Sequence, residues 1–289
     1  MNEIAILIIA HKNQEQLELL INNLVGDFDL YIHIDTKSVI NKEELISKYP
    51  NVKFYSKYNI IWSGYTQILC PLFLFREASK SKYQYYILIS AQDIPLISNE
   101  AIKCRLKEED TSYVVSDKLP LSQWKFNGGF DRVQLFWESD VVGNSLWDKL
   151  KRKVICNIKK NQRKYNLRRP LYKGVEYYGG STWVILRYDA MEYLTNFIDK
   201  NPKYLKTFKY SYCADELWLQ TILGTSDCRT KNEHITYLDW FTGPEYPRTL
   251  RIDDYDAIIN SPHFFARKFD IDVDKEVVHK ILERRNSTT

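Results

Sequence analysis

Apolar residues fill nearly every position from Glu3 to Ala10 (EIAILIIA), over the length of one strand. Such a run predicts a strand buried on both faces, as in a parallel sheet. His11-Lys12-Asn13 breaks it, and Gln14 to Leu24 has the spacing of an amphipathic helix. Leu30 to Ile34 (LYIHI) predicts a second strand that ends at Asp35. The opening is therefore β-loop-α-β, with polar residues straight after each strand. In open α/β sheets ligands bind beyond the carboxyl ends of strands, so His11 and Asp35 stand where a nucleotide is expected. His11 reads equally well as a capping or packing histidine.

The pattern continues with a strand at Val52 to Tyr55, a tight aromatic loop at Trp62-Ser63-Gly64-Tyr65, and a helix from Gln67 to Ser79. Tyr85 to Ser90 (YYILIS) predicts another strand, running into Ala91-Gln92-Asp93-Ile94-Pro95. A metal-dependent sugar transferase would place Asp-x-Asp here. This chain offers Asp93 alone, so a metal has poor support. Asn99 to Leu106 reads as a helix and Ser112 to Val115 as a strand. Pro120 to Gly143 has no clear period and reads as a long functional loop. A strand from Thr182 to Leu186 follows Tyr177-Tyr178-Gly179-Gly180-Ser181, whose glycines permit a close backbone approach. Trp183 either packs in a core or floors a sugar site. Tyr188 to Phe197 is a helix.

From Ala214 the spacing predicts a short helix that stops at Gly224, with Glu216 and Gln220 on one face and Leu219, Ile222 and Leu223 toward a core. Asp215 and Glu216 open it. They read either as dipole complements in a first turn or, for Glu216, as a general base at a pocket rim. On such a helix Asp215 points away from Glu216. Ile235 to Leu238 predicts a strand that ends in Asp239-Trp240. Tyr246-Pro247-Arg248-Thr249-Leu250-Arg251 is a basic loop, and Asp253 to Asn260 a helix. Ser261 to Phe269 holds Arg267 and Lys268 between aromatics, and Lys275 to Arg284 closes the chain as a helix. With no linker or repeat, residues 1–289 read as a single domain.

Composition adds three things. Aromatics reach 14%, which suits surfaces that stack on sugar rings as well as large cores. The net charge of +4 does not by itself suggest nucleic acid. The five cysteines are odd in number and scattered, which argues against a disulfide framework or zinc site and for a reducing compartment. No run approaches the roughly 18 apolar residues of a membrane span. The first ten residues carry Glu3 and lack a basic start, unlike a signal peptide. A cytoplasmic protein is the expectation, and Asn286-Ser287-Thr288 then carries no glycan. Leu146 to Arg169 is the most basic stretch. Leu146, Leu150, Val154 and Ile158 fall at i,i+4 steps, which makes a basic amphipathic helix. It is either a solvated face or a peripheral contact with anionic membrane. No nucleic-acid recognition motif accompanies it.

Taken together, Ala10-His11-Lys12-Asn13, Tyr31-Ile32-His33-Ile34-Asp35, Trp62-Ser63-Gly64-Tyr65, Ser90-Ala91-Gln92-Asp93-Ile94-Pro95, Gly180-Ser181-Thr182-Trp183, Asp215-Glu216, Pro247-Arg248-Thr249-Leu250 and Phe265-Ala266-Arg267-Lys268-Phe269 resemble, in order, the core-2/I-branching β-1,6-N-acetylglucosaminyltransferases and their peptide O-xylosyltransferase relatives. The resemblance runs over nearly the whole length. It implies an α/β, GT-A-like nucleotide-sugar-binding fold, with a mixed, mostly parallel sheet flanked by helices. It also implies an inverting transfer of a sugar, N-acetylglucosamine or else xylose, from a UDP-sugar to a glycan or glycolipid acceptor, with no cofactor and no metal. By motif, Glu216 would be the catalytic base. Asp35 would bind the uracil or ribose end, with His11, Trp62 and Asp93 near the nucleotide. Arg248 and Lys268 would hold the diphosphate, with Arg251 as a rival to Arg248. Trp240 would line the acceptor pocket, where Trp183 and Asp215 are further candidates. The chain lacks the membrane anchor and the many cysteines of the animal members, which suits a bacterial protein and leaves the acceptor open. A glycoside hydrolase and a non-catalytic carbohydrate-binding protein are the rival readings.

Overall fold

The structure is a computed structural model and describes residues 2–140, 143, 145–244 and 247–287. Tyr246 of the basic loop, Val141 and Val142 of the long loop, and Thr288 of the tail motif lie outside the described residues. Twelve strands occur among the described residues: β1 Ile4–Ala10, β2 Asp29–Ile34, β3 Lys53–Tyr55, β4 Tyr85–Ser90, β5 Ile94–Pro95, β6 Ser112–Tyr113, β7 Ser116–Lys118, β8 Tyr178–Gly180, β9 Val184–Arg187, β10 Thr230–Lys231, β11 Thr236–Tyr237 and β12 Phe265–Ala266. The central sheet has the order β10-β6-β9-β4-β1-β2-β3. Its pairs are parallel except where β9 meets β4 and β6. This is the expected α/β architecture, mixed and mainly parallel.

The apolar run of β1 explains its place at the centre. Ala5 and Leu7 enter a core with Ile68, Leu72 and Phe75 of the helix Thr66–Ala78. Ile4, Ile6, Ile8 and Ala10 enter a second core with Leu17, Leu20, Ile21 and Leu24 of the helix Gln14–Leu24. Both faces are covered, so no polar residue interrupts the run. β4 divides its side chains in the same way, Tyr86 and Leu88 against Tyr85, Ile87 and Ile89.

β1 lies between β2, which follows it, and β4, which returns on its other side. The order of the sheet therefore reverses at the carboxyl ends of β1 and β4, where a crevice opens in folds of this kind. Asn13 caps the helix there, accepting from the Gln16 amide at 3.1 Å. Gln16 is buried and ties three segments together. Its amide donates to the carbonyls of Ala91 and Phe269, at 3.0 and 3.1 Å, and its oxygen accepts from Ile271 at 3.0 Å. A smaller sheet, β11-β12-β5, stands beside this point. β7 and β8 form a separate antiparallel pair.

Candidate active site

Residues flanking the strands of the small sheet, His234, Leu238 and Arg267, line a cleft of about 600 Å³. Antiparallel pairing sets Phe265 opposite Pro95 and Ala266 opposite Ile94, so the register carries Arg267 toward Asp93. Asp93 is fully buried. Its Oδ2 accepts from the Ser90 amide at 2.6 Å, and its Oδ1 lies 3.4 Å from Arg267 Nε without a hydrogen bond. Burial raises the Asp93 pKa and lowers that of Arg267, and each charge partly offsets the effect on the other. The guanidinium carbon of Arg267 stands 4.0 Å from the ring centre of Trp183. Nε and Nη1 of this buried arginine have no hydrogen-bond partner among the described residues, and Arg267 lines the cleft.

Gly179 and Gly180 of the β7–β8 pair line the same cleft. A methyl group on Gly180 would lie 1.8 Å from the Val115 carbonyl oxygen, and one on Gly179 would lie 2.6 Å from the Trp124 ring. The paired glycines thus admit a neighbouring backbone and an indole. The Arg132 guanidinium carbon stands 3.7 Å from the Trp124 ring centre, and its Nη1 donates to Glu216 Oε2 at 2.5 Å.

The segment carrying Glu216 differs from the expected continuous helix. Ala214–Glu216 is a 3₁₀ turn, and Leu217 (φ −128°, ψ −39°) breaks it from the helix Trp218–Gly224. Leu217 and Trp218 both enter the core. Consecutive side chains on a regular helix diverge by about 100°, so burying both favours the break. Glu216 therefore belongs to no regular first turn, and Gln220 is buried with its amide on the Ser181 carbonyl at 2.5 Å. Asp215 does not point away, as a helix would require. Thr182 Oγ1 donates to its Oδ2 at 2.8 Å and holds it on the wall of the same cleft, with Oδ1 unpartnered.

Electrostatics follow from this placing. Burial, and then the negative charge of Asp215, push the Glu216 carboxyl up to about 7, against the pull of Arg132. Burial also raises Asp215. A buried carboxyl and a half-buried one that repel each other resist ionising together, so the pair holds protons to higher pH than either acid in water. The Glu216 side chain keeps 29% of its surface exposed, so it remains reachable from the cleft.

The candidate residues divide between the cleft and the switch point. Trp183, Asp215 and Trp240 line the cleft with Glu216. His11 and Asp35 lie near the switch point. Burial lowers the His11 pKa, Lys12, Lys37 and Arg267 lower it further, and Asp35 opposes them. Asp35 is buried and accepts backbone amides on both oxygens, from Lys37 at 3.1 Å and Ile60 at 3.2 Å. Trp62 is exposed and meets the Tyr212 ring edge-on at 5.8 Å. Arg248 is absent from the cleft lining. It donates to Asp239 at 2.9 Å and to Asp254, and its amide donates to the Asp239 carbonyl at 2.9 Å. These bonds clamp the loop that carries Trp240. Arg251 is exposed, and its amide donates to Asp254. Lys268 is half-buried, directly after Arg267.

Sequence reasoning did not single out Arg132, Trp124 or Arg267 for the site. Arg132 and Trp124 come from the unpatterned 120–143 stretch, where no period marks them. Arg267 carried a usable signal, since an Asp-Ile-Pro strand paired with Phe-Ala-Arg sets acid against base. Among the described residues no three His, Cys, Asp or Glu side chains converge as a metal site.

A sequence model of the Core-2/I-Branching enzyme family matches residues 4–259. The chain belongs to this family. Xylosyltransferase 2 of Homo sapiens is 25% identical over 279 residues, covering 86% of this chain and 29% of that protein. Xylosyltransferase 1 of Pan troglodytes is 23% identical over 311 residues, covering 96% and 30%. The chain thus spans less than a third of the length of these relatives. A crystal structure of S. aureus TarS 1-349 superimposes with a TM-score of 0.30 and 12% identity, covering 72% of this chain and 70% of that one. That likeness is too slight to bear on the site of this Core-2/I-Branching family member.

Proposed function

We propose that the chain is an inverting glycosyltransferase. It moves a sugar from a UDP-sugar to a hydroxyl of a glycan acceptor, with Glu216 as general base. The observation that carries this reading is a glutamate with its pKa raised to about 7 in a cleft that Trp183 and Trp240 also line. A base needs a pKa near the working pH and must come within about 2.6–3.2 Å of the hydroxyl it deprotonates. The acceptor oxygen then attacks the anomeric carbon as the bond to the diphosphate breaks, and its proton passes to Glu216. Arg132 holds that carboxylate in place through its Nη1 donor.

The departing diphosphate needs neutral balance rather than a proton. We assign this to Lys268 and Arg248, and add Arg267, a cleft-lining arginine whose Nε faces Asp93 at 3.4 Å and whose buried Nη1 has no hydrogen-bond partner among the described residues. Arg248 reaches a diphosphate by giving up or sharing its bond to Asp239. Since Asp93 faces an arginine rather than a second acid, the proposed transfer needs no divalent ion. His11, Asp35 and Trp62 are assigned to the nucleotide end. N-acetylglucosamine is our first reading of the sugar. The names of the relatives favour xylose as the second.

Asp215 on the same wall as Glu216 supplies the paired carboxyls of a hydrolase reading. A thermal-shift series with UDP, UDP-N-acetylglucosamine and UDP-xylose tests the proposal, followed by transfer assays in EDTA. Stabilisation by a UDP-sugar and transfer that persists in EDTA are expected. Loss of transfer in EDTA restored by Mn²⁺ would overturn the metal-independent part. Release of sugar from UDP-free oligosaccharides, without any response to UDP, would favour the hydrolase.

A further inference from the structure

The helix Leu146–Asn161 is attached to the protein by little of its own apolar surface. Ser145 and Asp148 form a capping box at its start. On its inner side Ile155 is the buried residue, and Lys159 reaches Glu138 at 2.5 Å. Just beyond its end, buried Gln162 bonds to both the amide and the carbonyl of Phe136, at 2.7 and 3.1 Å. Arg168 then pairs with Asp131, whose chain neighbour Arg132 holds Glu216.

The larger apolar stripe faces outward. Leu146 is 83% exposed, Trp147 73%, Leu150 51% and Val154 50%. At about 100° per residue these four share an arc of roughly 100°, away from Ile155. Lys149, Lys153 and Lys160 line one edge of that arc, and Lys151 stands on the other. None of the four has a carboxylate at ion-pair distance among the described residues. A solvated helix face needs no such stripe of leucine, valine and tryptophan. Basic side chains bordering an apolar face, with an indole in it, are the pattern of a helix lying in a bilayer interface.

We propose that this face docks on an anionic lipid bilayer. The apolar side chains enter the headgroup region, and the bordering lysines meet lipid phosphates. Among the described residues no helix is long and apolar enough to cross a membrane, so the contact is peripheral. It is reversible and weakens with salt, since part of it is screened charge. Through Gln162, Arg168 and Asp131 the docked face is tied to the segment that positions Glu216. The proposal rests on the helix alone and does not require the glycosyltransferase reading.

Flotation of the full chain with phosphatidylcholine vesicles, with and without phosphatidylglycerol, tests it. Binding to the anionic vesicles at least about tenfold above the neutral ones is expected, with loss of that binding at about 1 M salt. The triple variant Leu146→Glu, Leu150→Glu, Val154→Glu should lose at least about tenfold in bound fraction. Its melting temperature should not change, because these side chains are exposed. Trp147→Phe should remove a blue shift of fluorescence that anionic vesicles induce in the parent. Absence of flotation with anionic vesicles would overturn the proposal. So would self-association in solution that the triple variant abolishes while vesicle binding is absent. Neither assay uses turnover, so failure here and failure of the catalytic proposal are read separately.

Discussion

The switch point and the cleft treat polar groups in different ways. At the switch point, polar side chains bond mainly to backbone, with His33 Nδ1 and Asp93 Oδ1 as buried atoms left without a hydrogen bond. Both Asp35 oxygens accept amides, and His33 Nε2 accepts the amides of Lys57 and Tyr58 at 3.0 Å each. Burial pushes His33 down to about 4, so it is neutral and serves as an acceptor. In the cleft, polar groups are left in debt. Asp215 Oδ1, Arg132 Nε and two nitrogens of Arg267 are buried without hydrogen bonds. Glu216 holds its proton near neutrality. Unsatisfied buried groups cost about 1–3 kcal/mol each and persist where a ligand or a reaction makes use of them. The switch point therefore fixes loop positions, and the cleft keeps reactivity available.

That contrast predicts where substitutions fall hardest. Glu216→Gln should cut turnover by at least about 10²-fold and leave UDP-sugar affinity unchanged, as transfer assays and titration calorimetry would show. Turnover near that of the parent would put the base elsewhere. Next in size is the pair Asp93→Asn with Arg267→Gln, which removes both buried charges together and so spares the fold the loss of one partner. Donor affinity should drop about tenfold or more, because an arginine–phosphate bond is charge-assisted. Unchanged affinity would leave the diphosphate to Lys268 and Arg248. Asp35→Asn should be the mildest. It gives up one of two accepted amides, at about 1 kcal/mol of stability in denaturant melts. Donor affinity should fall somewhat further than that loss of stability alone explains, because Asp35 is assigned to the nucleotide end, and an unchanged affinity would remove it from that role.

The same contrast explains what could be read from the chain. β1 and β4 were legible because burial on both faces leaves an unbroken apolar run. The helix Gln14–Leu24 has the bounds that its spacing gives. The short strands β5, β7, β8 and β12 carry almost no periodic signal, because two or three residues do not make a pattern. Their register is set by contacts distant in sequence, and it is this register that brings Arg267 to Asp93. The helix Lys42–Lys48 was not read, having Leu45 as its buried residue. Glu216 was picked out by its company in the chain, yet its neighbours in space, Arg132 and Trp124, come from a stretch without period. The break at Leu217 follows from two adjacent large residues both seeking the core. That demand is visible only once the core exists. The likeness to the family, by contrast, needs no geometry, and the match over residues 4–259 bears it out.

The central claim is that the protein environment, not the glutamate alone, sets the base. The most direct test is kcat/KM against pH for the parent and for Arg132→Gln. A raised pKa makes the carboxylate scarce below neutrality, so kcat/KM should climb with pH through an acid limb at about 7. Arg132 lowers that pKa, so removing its charge should move the limb to higher pH, with activity recovering as the pH is raised further. A profile flat from about pH 5 to 8, or a limb that stays in place when Arg132 is replaced, would contradict the account.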